Sequence, residues 1–111
     1  MGKQPSEFLP GTLDLLVLRT LEHGPAHGYA IMEALWSSSG ELFRVEECAL
    51  YPALHRLEKQ GFLNASWGAS EANRRAKYYK LSAAGRKRLL KETERWKQVV
   101  LGMGRVLGGA T

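Results

Sequence analysis

The C-terminal third of the chain places side chains at alternating intervals of four and three residues, and this seam constrains the fold more than any other feature. It consists of Leu89, Thr93, Trp96, Val100, Met103 and Leu107. All but the threonine are apolar, and this is the heptad spacing with which one helix packs along another. A chain of 111 residues has little core left to cover such a helix. Packing against a second copy is therefore the simplest prediction, and the alternative is a long helix folded back on its own domain.

Three shorter helices are predicted ahead of the seam. The first begins at Thr12 and ends at Gly24-Pro25, because proline lacks the amide that the next turn needs. The second runs from about Tyr29 to Ser37, and the third lies within Glu46 to Gln60. The apolar segment 42–45 between them is typical of a short strand.

The first helix is predicted to be apolar on more than one face. Leu13, Leu16, Val17 and Leu21 form one stripe at helical spacing, and Leu15 and Leu18 lie off it. A second apolar face needs a second packing partner, either inside the fold or in another chain. Together with the seam, this predicts a dimer interface made of Leu15, Leu18, Leu89, Trp96, Val100 and Met103.

Two strands precede the last helix. Residues 62–67 and 77–81 are rich in apolar and aromatic side chains, and they flank the polar segment 68–75, which is typical of a hairpin tip. Ser82 follows the second strand and is predicted to cap the last helix, which should run to about Leu101.

The charge of the chain is unevenly distributed. The formal net charge is +5, but residues 1–73 carry five Lys/Arg and nine Asp/Glu, whereas residues 74–111 carry eleven and two. A net of +9 in the second part attracts polyanions such as nucleic acid. The alternative is a solvated basic face that serves solubility.

Several classes of protein are not favoured by the sequence. The single cysteine, Cys48, forms no internal disulfide and fits a reducing compartment. The opening segment has no apolar core of a secretory signal, and no apolar run is long enough to cross a membrane, so we expect a cytoplasmic protein. His23, His27 and His55 lack metal-site spacing, and no glycine-rich phosphate loop is present. We therefore expect no catalytic site, no metal and no cofactor, and hence not an enzyme.

The predicted order of elements is helix, helix, short strand, helix, hairpin, helix. It is typical of an α+β, mainly α, fold: a winged helix-turn-helix with an added C-terminal dimerisation helix. Residues 1–82 would form the DNA-binding domain, and residues 83–111 the dimerisation helix and tail, within a single structural domain. In such a fold the third helix enters the DNA major groove and the hairpin, or wing, reaches along the backbone. The predicted DNA contacts are Tyr51, Pro52, His55, Arg56, Lys59, Arg74, Arg75 and Lys77.

Three segments also resemble the PadR family of bacterial transcription regulators. They are LYPALHRLEKQGFL (residues 50–63), NRRAKYYKLSAAGRKRL (residues 73–89) and GTLDLLVLRTLEHGPAHGYAI (residues 11–31). The similarity extends from Gly11 to Trp96. It implies a winged helix, a C-terminal helix that dimerises, and repression of adjacent genes that a small effector relieves in many members.

The resemblance also implies roles for individual residues. Tyr51 and His55 fall on the recognition helix of the family pattern, and Arg74, Arg75 and Lys77 fall on its wing. Trp96 falls on the dimerising helix, where some members line a cavity between subunits with an aromatic residue. We therefore place a pocket for a small hydrophobic or aromatic effector at Trp96 and Val99. The chain departs from the pattern in two ways: Glu46-Glu47 opens the recognition helix, and the short C-terminal helix is that of the compact form of the family, so we expect no large effector domain.

The resulting prediction is a homodimer that binds a pseudo-palindromic operator in double-stranded DNA, with half-sites one helical turn or a multiple of it apart. Two alternatives remain at this point. One is a non-specific nucleic-acid binder, and the other is a winged-helix module that binds protein.

Overall fold

The structure, a computed structural model, describes residues 11–108. The outermost parts of the two predicted domain ranges, residues 1–10 and 109–111, lie outside the described residues. The elements in chain order are α1 (Thr12–Leu21), β1 (Ala26–His27), α2 (Gly28–Ser38), α3 (Glu47–Lys59), β2 (Leu63–Ala69), β3 (Arg75–Leu81) and α4 (Ala83–Leu107). The predicted fold class, a mainly α winged helix-turn-helix with a C-terminal helix, is confirmed.

Side chains cap two of the helices. His27 Nδ1 accepts a hydrogen bond from the Ala30 amide at 3.2 Å and begins α2. Ser82 Oγ accepts one from the Gly85 amide at 3.0 Å, which confirms the predicted cap of α4. Such caps satisfy amides that have no partner within the first turn of a helix.

The third strand of the sheet differs from the predicted one. β2 and β3 pair antiparallel from Leu63↔Leu81 to Ala69↔Arg75, and β1 pairs with the other edge of β3 through Ala26↔Tyr79. The third strand therefore lies ahead of α2, whereas residues 42–45, where a strand was predicted, form none. β1 has only two residues, which is too short to show the alternation of apolar and polar side chains that marks a strand. The segment 42–45 was mistaken for a strand because it is apolar, but Val45 is apolar because it packs in the core.

The core lies between α1, α2, α3, the sheet and the first turns of α4. Its buried side chains are Val17, Leu18, Leu21, Ile31, Leu35, Val45, Leu50, Leu54, Leu57, Leu63, Tyr79, Leu81 and Leu89. The buried side chains of α3 point into this core, so one face of the helix packs against the protein and the opposite face is exposed to solvent.

α4 begins in the core and then leaves it. Gly85 lies against the chain at Phe62, where an added Cβ would be 2.1 Å from the Phe62 carbonyl oxygen, so only glycine allows this approach. Beyond Trp96 the apolar side chains of α4 are exposed. The helix continues to Leu107, past the predicted end at Leu101, and stops at Gly108, which has a φ of 75°.

Two residues predicted at a dimer interface belong instead to the core of the protomer. Leu18 is 1% exposed and Leu89 is 4% exposed. Heptad spacing shows that a helix packs against something, but it does not distinguish a neighbouring helix of the same chain from a second chain. Leu18 on α1 and Leu89 on α4 both belong to the core, and the exposed apolar stripe begins further along α4.

Among residues 11–108, no helix is long and apolar enough to cross a lipid bilayer.

Candidate nucleic-acid interface

The outward face of α3 is open along its whole length. The buried residues of this helix are Leu50, Ala53, Leu54 and Leu57. The exposed face opposite consists of Cys48, Tyr51, Pro52, His55, Arg56 and Lys59. Thirteen residues make a helix about 20 Å long, and the major groove of DNA, about 12 Å wide, admits one helix. Pro52 lies inside α3 without breaking it.

The N-terminus of α3 is acidic. Glu46 is its N-cap residue and Glu47 lies in its first turn, and both are exposed. Carboxylates at this end stabilise a helix through its dipole. The outward face of α3 therefore gains no positive charge from this end.

Tyr51 connects α3 to the start of α2. Its ring lies over Gly28, where an added Cβ would be 2.3 Å from the tyrosine hydroxyl oxygen, and the residue is still 43% exposed. Burial, followed by the charge of Glu47, raises the pKa of Tyr51 above its ordinary value. The phenol is therefore protonated at neutral pH, and its hydroxyl can donate a hydrogen bond to an acceptor outside the protein.

Two of the predicted DNA-contacting cations are paired with carboxylates. Arg56 on α3 contacts Asp14 on α1 at 2.6 Å, and Lys77 on β3 contacts Glu58 on α3 at 3.1 Å. The hydrogen bond to Glu58 raises the pKa of Lys77. Exposed pairs of this kind contribute at most about 1 kcal/mol each, but together they connect α3 to α1 on one side and to the wing on the other.

The tip of the wing is tightly hydrogen-bonded. The Ser70 amide donates to the Arg74 carbonyl and the Asn73 amide to the Ser70 carbonyl, both at 2.8 Å. The Tyr78 hydroxyl donates to the Ala69 carbonyl at 2.9 Å. The tip is shorter than predicted, because the strands extend to Ala69 and from Arg75. Arg74 and Arg75 are exposed beside it.

A groove lies between the wing and the surface formed by the start of α2 and Tyr51 of α3, and aromatic and basic side chains line it. They include Tyr29, Tyr51, Trp67, Arg74, Arg75 and Lys77. The structure thus brings one predicted helix residue together with all three predicted wing cations. His55 and Lys59 lie on α3 but do not line this groove.

Sequence reasoning missed two residues of this groove. Trp67 was included only as the last residue of a predicted strand, and Tyr29 only as the start of the second helix, yet both are exposed. A hydrogen bond to Glu33 raises the pKa of Tyr29. A usable signal existed for Trp67: in the hairpin it lies opposite Lys77, beside the adjacent arginines of the wing.

A second groove, of about 340 Å³, lies between α1 and α4. Leu15, Trp96 and Val99 line it together with Asp14 and Phe62. The two residues predicted for an effector pocket are therefore neighbours, and Leu15 from the predicted dimer interface faces the same space. Val100 and Met103 lie further along the exposed part of α4.

No group of three His, Cys, Asp or Glu side chains in the described part of the chain is arranged to hold a metal ion.

Comparison with known proteins identifies close structural relatives. Residues 17–91 match the family model of the transcriptional regulator PadR-like family. A PadR family transcriptional regulator from Eggerthella lenta is 35% identical, with a TM-score of 0.73 over 87% of this chain and 82% of that one. A transcriptional regulator from Clostridium thermocellum is 30% identical, with a TM-score of 0.74 over 88% and 91% of the two chains. A protein from Lysinibacillus sphaericus is 28% identical over 94 residues, which are 85% of this chain and 86% of that one.

Proposed function

Because this chain belongs to the PadR-like family of transcriptional regulators, we propose that it is a homodimeric repressor that binds an operator in double-stranded DNA through α3 and the wing. The observation that carries the proposal is the open outward face of α3, with Arg74 and Arg75 exposed on the wing beside it. Base edges in the major groove specify a sequence, and cations on the backbone supply affinity and register. The protein would act in the cytoplasm and would not be an enzyme.

The dimer is supported by the exposed apolar stripe of α4. At about 100° per residue its members fall within roughly 120° of the helix circumference. They are Trp96, Val99, Val100, Met103, Val106 and Leu107. A contiguous apolar surface of this kind on a small protein marks an interaction site. A second copy offers the same stripe, and a twofold axis lets the two stripes cover each other.

A twofold dimer presents two α3 helices, so the operator is proposed to be pseudo-palindromic. The half-site centres would lie one turn of the duplex, about 34–36 Å, or a multiple of it apart.

The groove beside the stripe gives a route for regulation. A small hydrophobic or aromatic effector between Trp96 and Val99 would contact the helix that sets the dimer geometry. If it bound best to a geometry whose α3 spacing does not fit the duplex, it would release the operator.

Selection of bound fragments from the host genome, followed by competition with bulk DNA, tests the proposal. We expect the selected duplex to bind at least about a thousandfold more tightly than bulk DNA at physiological salt. Equal affinity for both would identify a non-specific binder. Absence of binding to any duplex at low salt would favour a protein-interaction module.

A further inference from the structure

Trp67 is the large aromatic residue of the wing, and it does not pack in the core. It lies in the middle of β2, opposite Lys77, and is 58% exposed. The guanidinium carbon of Arg75 lies 4.6 Å from the centre of its ring. Since side chains alternate between the faces of a strand, Trp67, Arg75 and Lys77 share one face of the hairpin. Tyr79 on that face is buried and lines the groove together with Tyr51 of α3. The stacked pair therefore belongs to the side of the wing that faces the recognition helix.

The cations near α3 are held in two different ways. Arg56 and Lys77 are held by the carboxylates of Asp14 and Glu58, which offset their charge. Arg75 is held by a neutral ring, and among the ion pairs of residues 11–108 it has no carboxylate partner. Stacking occupies the flat face of a guanidinium and leaves its in-plane N–H donors and its full charge for another acceptor.

We propose that Trp67 is a positioning residue, whose indole holds the Arg75 guanidinium ready for a phosphate of the DNA strand that enters the groove lined by the wing, Tyr29 and Tyr51. This inference rests on the proposed DNA binding. A free arginine loses much rotamer freedom when it binds, and a stack formed beforehand lowers that cost. The groove also carries the protonated hydroxyl of Tyr51, a second donor suited to phosphate oxygens.

Arg74 provides an internal comparison. It lines the same groove, but among the cation–aromatic contacts of the described residues none involves Arg74. Removal of the indole should therefore weaken the contribution of Arg75 and leave that of Arg74 unchanged.

A double-mutant cycle on a mixed-sequence DNA duplex at low salt tests the inference. We expect Trp67→Ala to weaken binding about three- to tenfold, and Trp67→Phe, which keeps a ring, to stay within about twofold of the parent. In the Arg75→Ala background the same Trp67→Ala change should have no further effect, whereas in the Arg74→Ala background it should keep its full effect. The slope of affinity against salt should be unchanged by Trp67→Ala, because no charge is lost.

NMR of the protein without DNA tests directly whether the Arg75 side chain lies over an aromatic ring at position 67. The side-chain NMR signals of Arg75 should show an upfield ring-current shift in the parent and in Trp67→Phe, and this shift should be absent in Trp67→Ala. If Trp67→Ala lowers the melting temperature of the protein, Trp67→Thr, which retains strand propensity, replaces it in the double-mutant cycle.

Two results would overturn the inference while leaving DNA binding intact. One is an affinity for DNA that neither Trp67→Ala nor Trp67→Thr changes. The other is a loss of equal size with and without Arg75, which would mean that the indole contacts DNA itself or only supports the wing. Failure of the parent protein to bind any duplex would instead overturn the proposed function together with the inference.

Discussion

Replacement of Met103 by aspartate is expected to convert the dimer into a monomer at micromolar concentration. Met103 lies near the middle of the exposed apolar stripe of α4 and is 54% exposed in the protomer, so the substitution leaves the protomer core untouched. In a dimer with twofold symmetry both subunits carry the substitution, so two charges are placed in the interface. Burial of one unpaired charge costs about 3–5 kcal/mol, so the dissociation constant of the dimer should rise at least about a thousandfold. Sedimentation velocity over a concentration series measures this change.

Leu101 gives the matched control. It is 47% exposed on the same helix but lies about 160° away from Met103 around the helix axis. Leu101→Asp makes the same charge change with a similar loss of helix propensity, and it should remain dimeric. Trp96→Asp should also disrupt the dimer. Trp96 lines the groove between α1 and α4, however, so this substitution would perturb the protomer as well. A dimeric Met103→Asp, or a monomeric Leu101→Asp, would contradict the assignment of the stripe.

Replacement of both Arg74 and Arg75 by alanine is expected to weaken DNA binding roughly fiftyfold near 0.1 M salt, because each phosphate contact releases about one counterion. For the same reason the slope of log affinity against log salt should fall by about two. Fluorescence anisotropy titrations between low and physiological salt give both quantities. The effect should be nearly the same on every duplex, since phosphate contacts carry no sequence information.

A control with the same loss of charge separates the wing from the net charge of the protein. Lys91 and Arg105 are exposed on α4, away from the wing groove. The double variant Lys91→Ala, Arg105→Ala should keep the parent's salt slope. Equal losses in the two double variants would indicate a bulk charge effect, and no loss in either would remove the wing from the DNA interface.

The parts of the fold that depend on local periodicity could be predicted from the sequence. The helical spacing of Leu50, Leu54 and Leu57 predicts that they share one face of α3, and the structure buries these three residues and leaves the opposite face exposed. Ser82 signalled the start of α4 through its own side chain. β1 could not be found in this way, because its position depends on pairing with β3, which lies some 50 residues further along the chain.

The residues of the candidate site were largely predicted, but the ion pairs that its cations form were not. Arg56 pairs with a residue 42 positions away and Lys77 with one 19 positions away. Such partners are chosen by tertiary packing, so a pattern within one helix or strand does not show them. The same holds for Leu18 and Leu89, whose apolar character was clear although their packing partner was not.

The placement of α3 in the major groove is tested most directly by the reactivity of Cys48. It is the only cysteine of the chain and is exposed on the outward face of α3, so no substitution is needed to probe that face. The rate of its alkylation by an uncharged maleimide should fall in proportion to the fraction of protein bound to the selected duplex. A cysteine placed at Lys91 in a Cys48→Ser background should react at the same rate with and without DNA. An undiminished rate at Cys48 in protein that is saturated with DNA would contradict the placement.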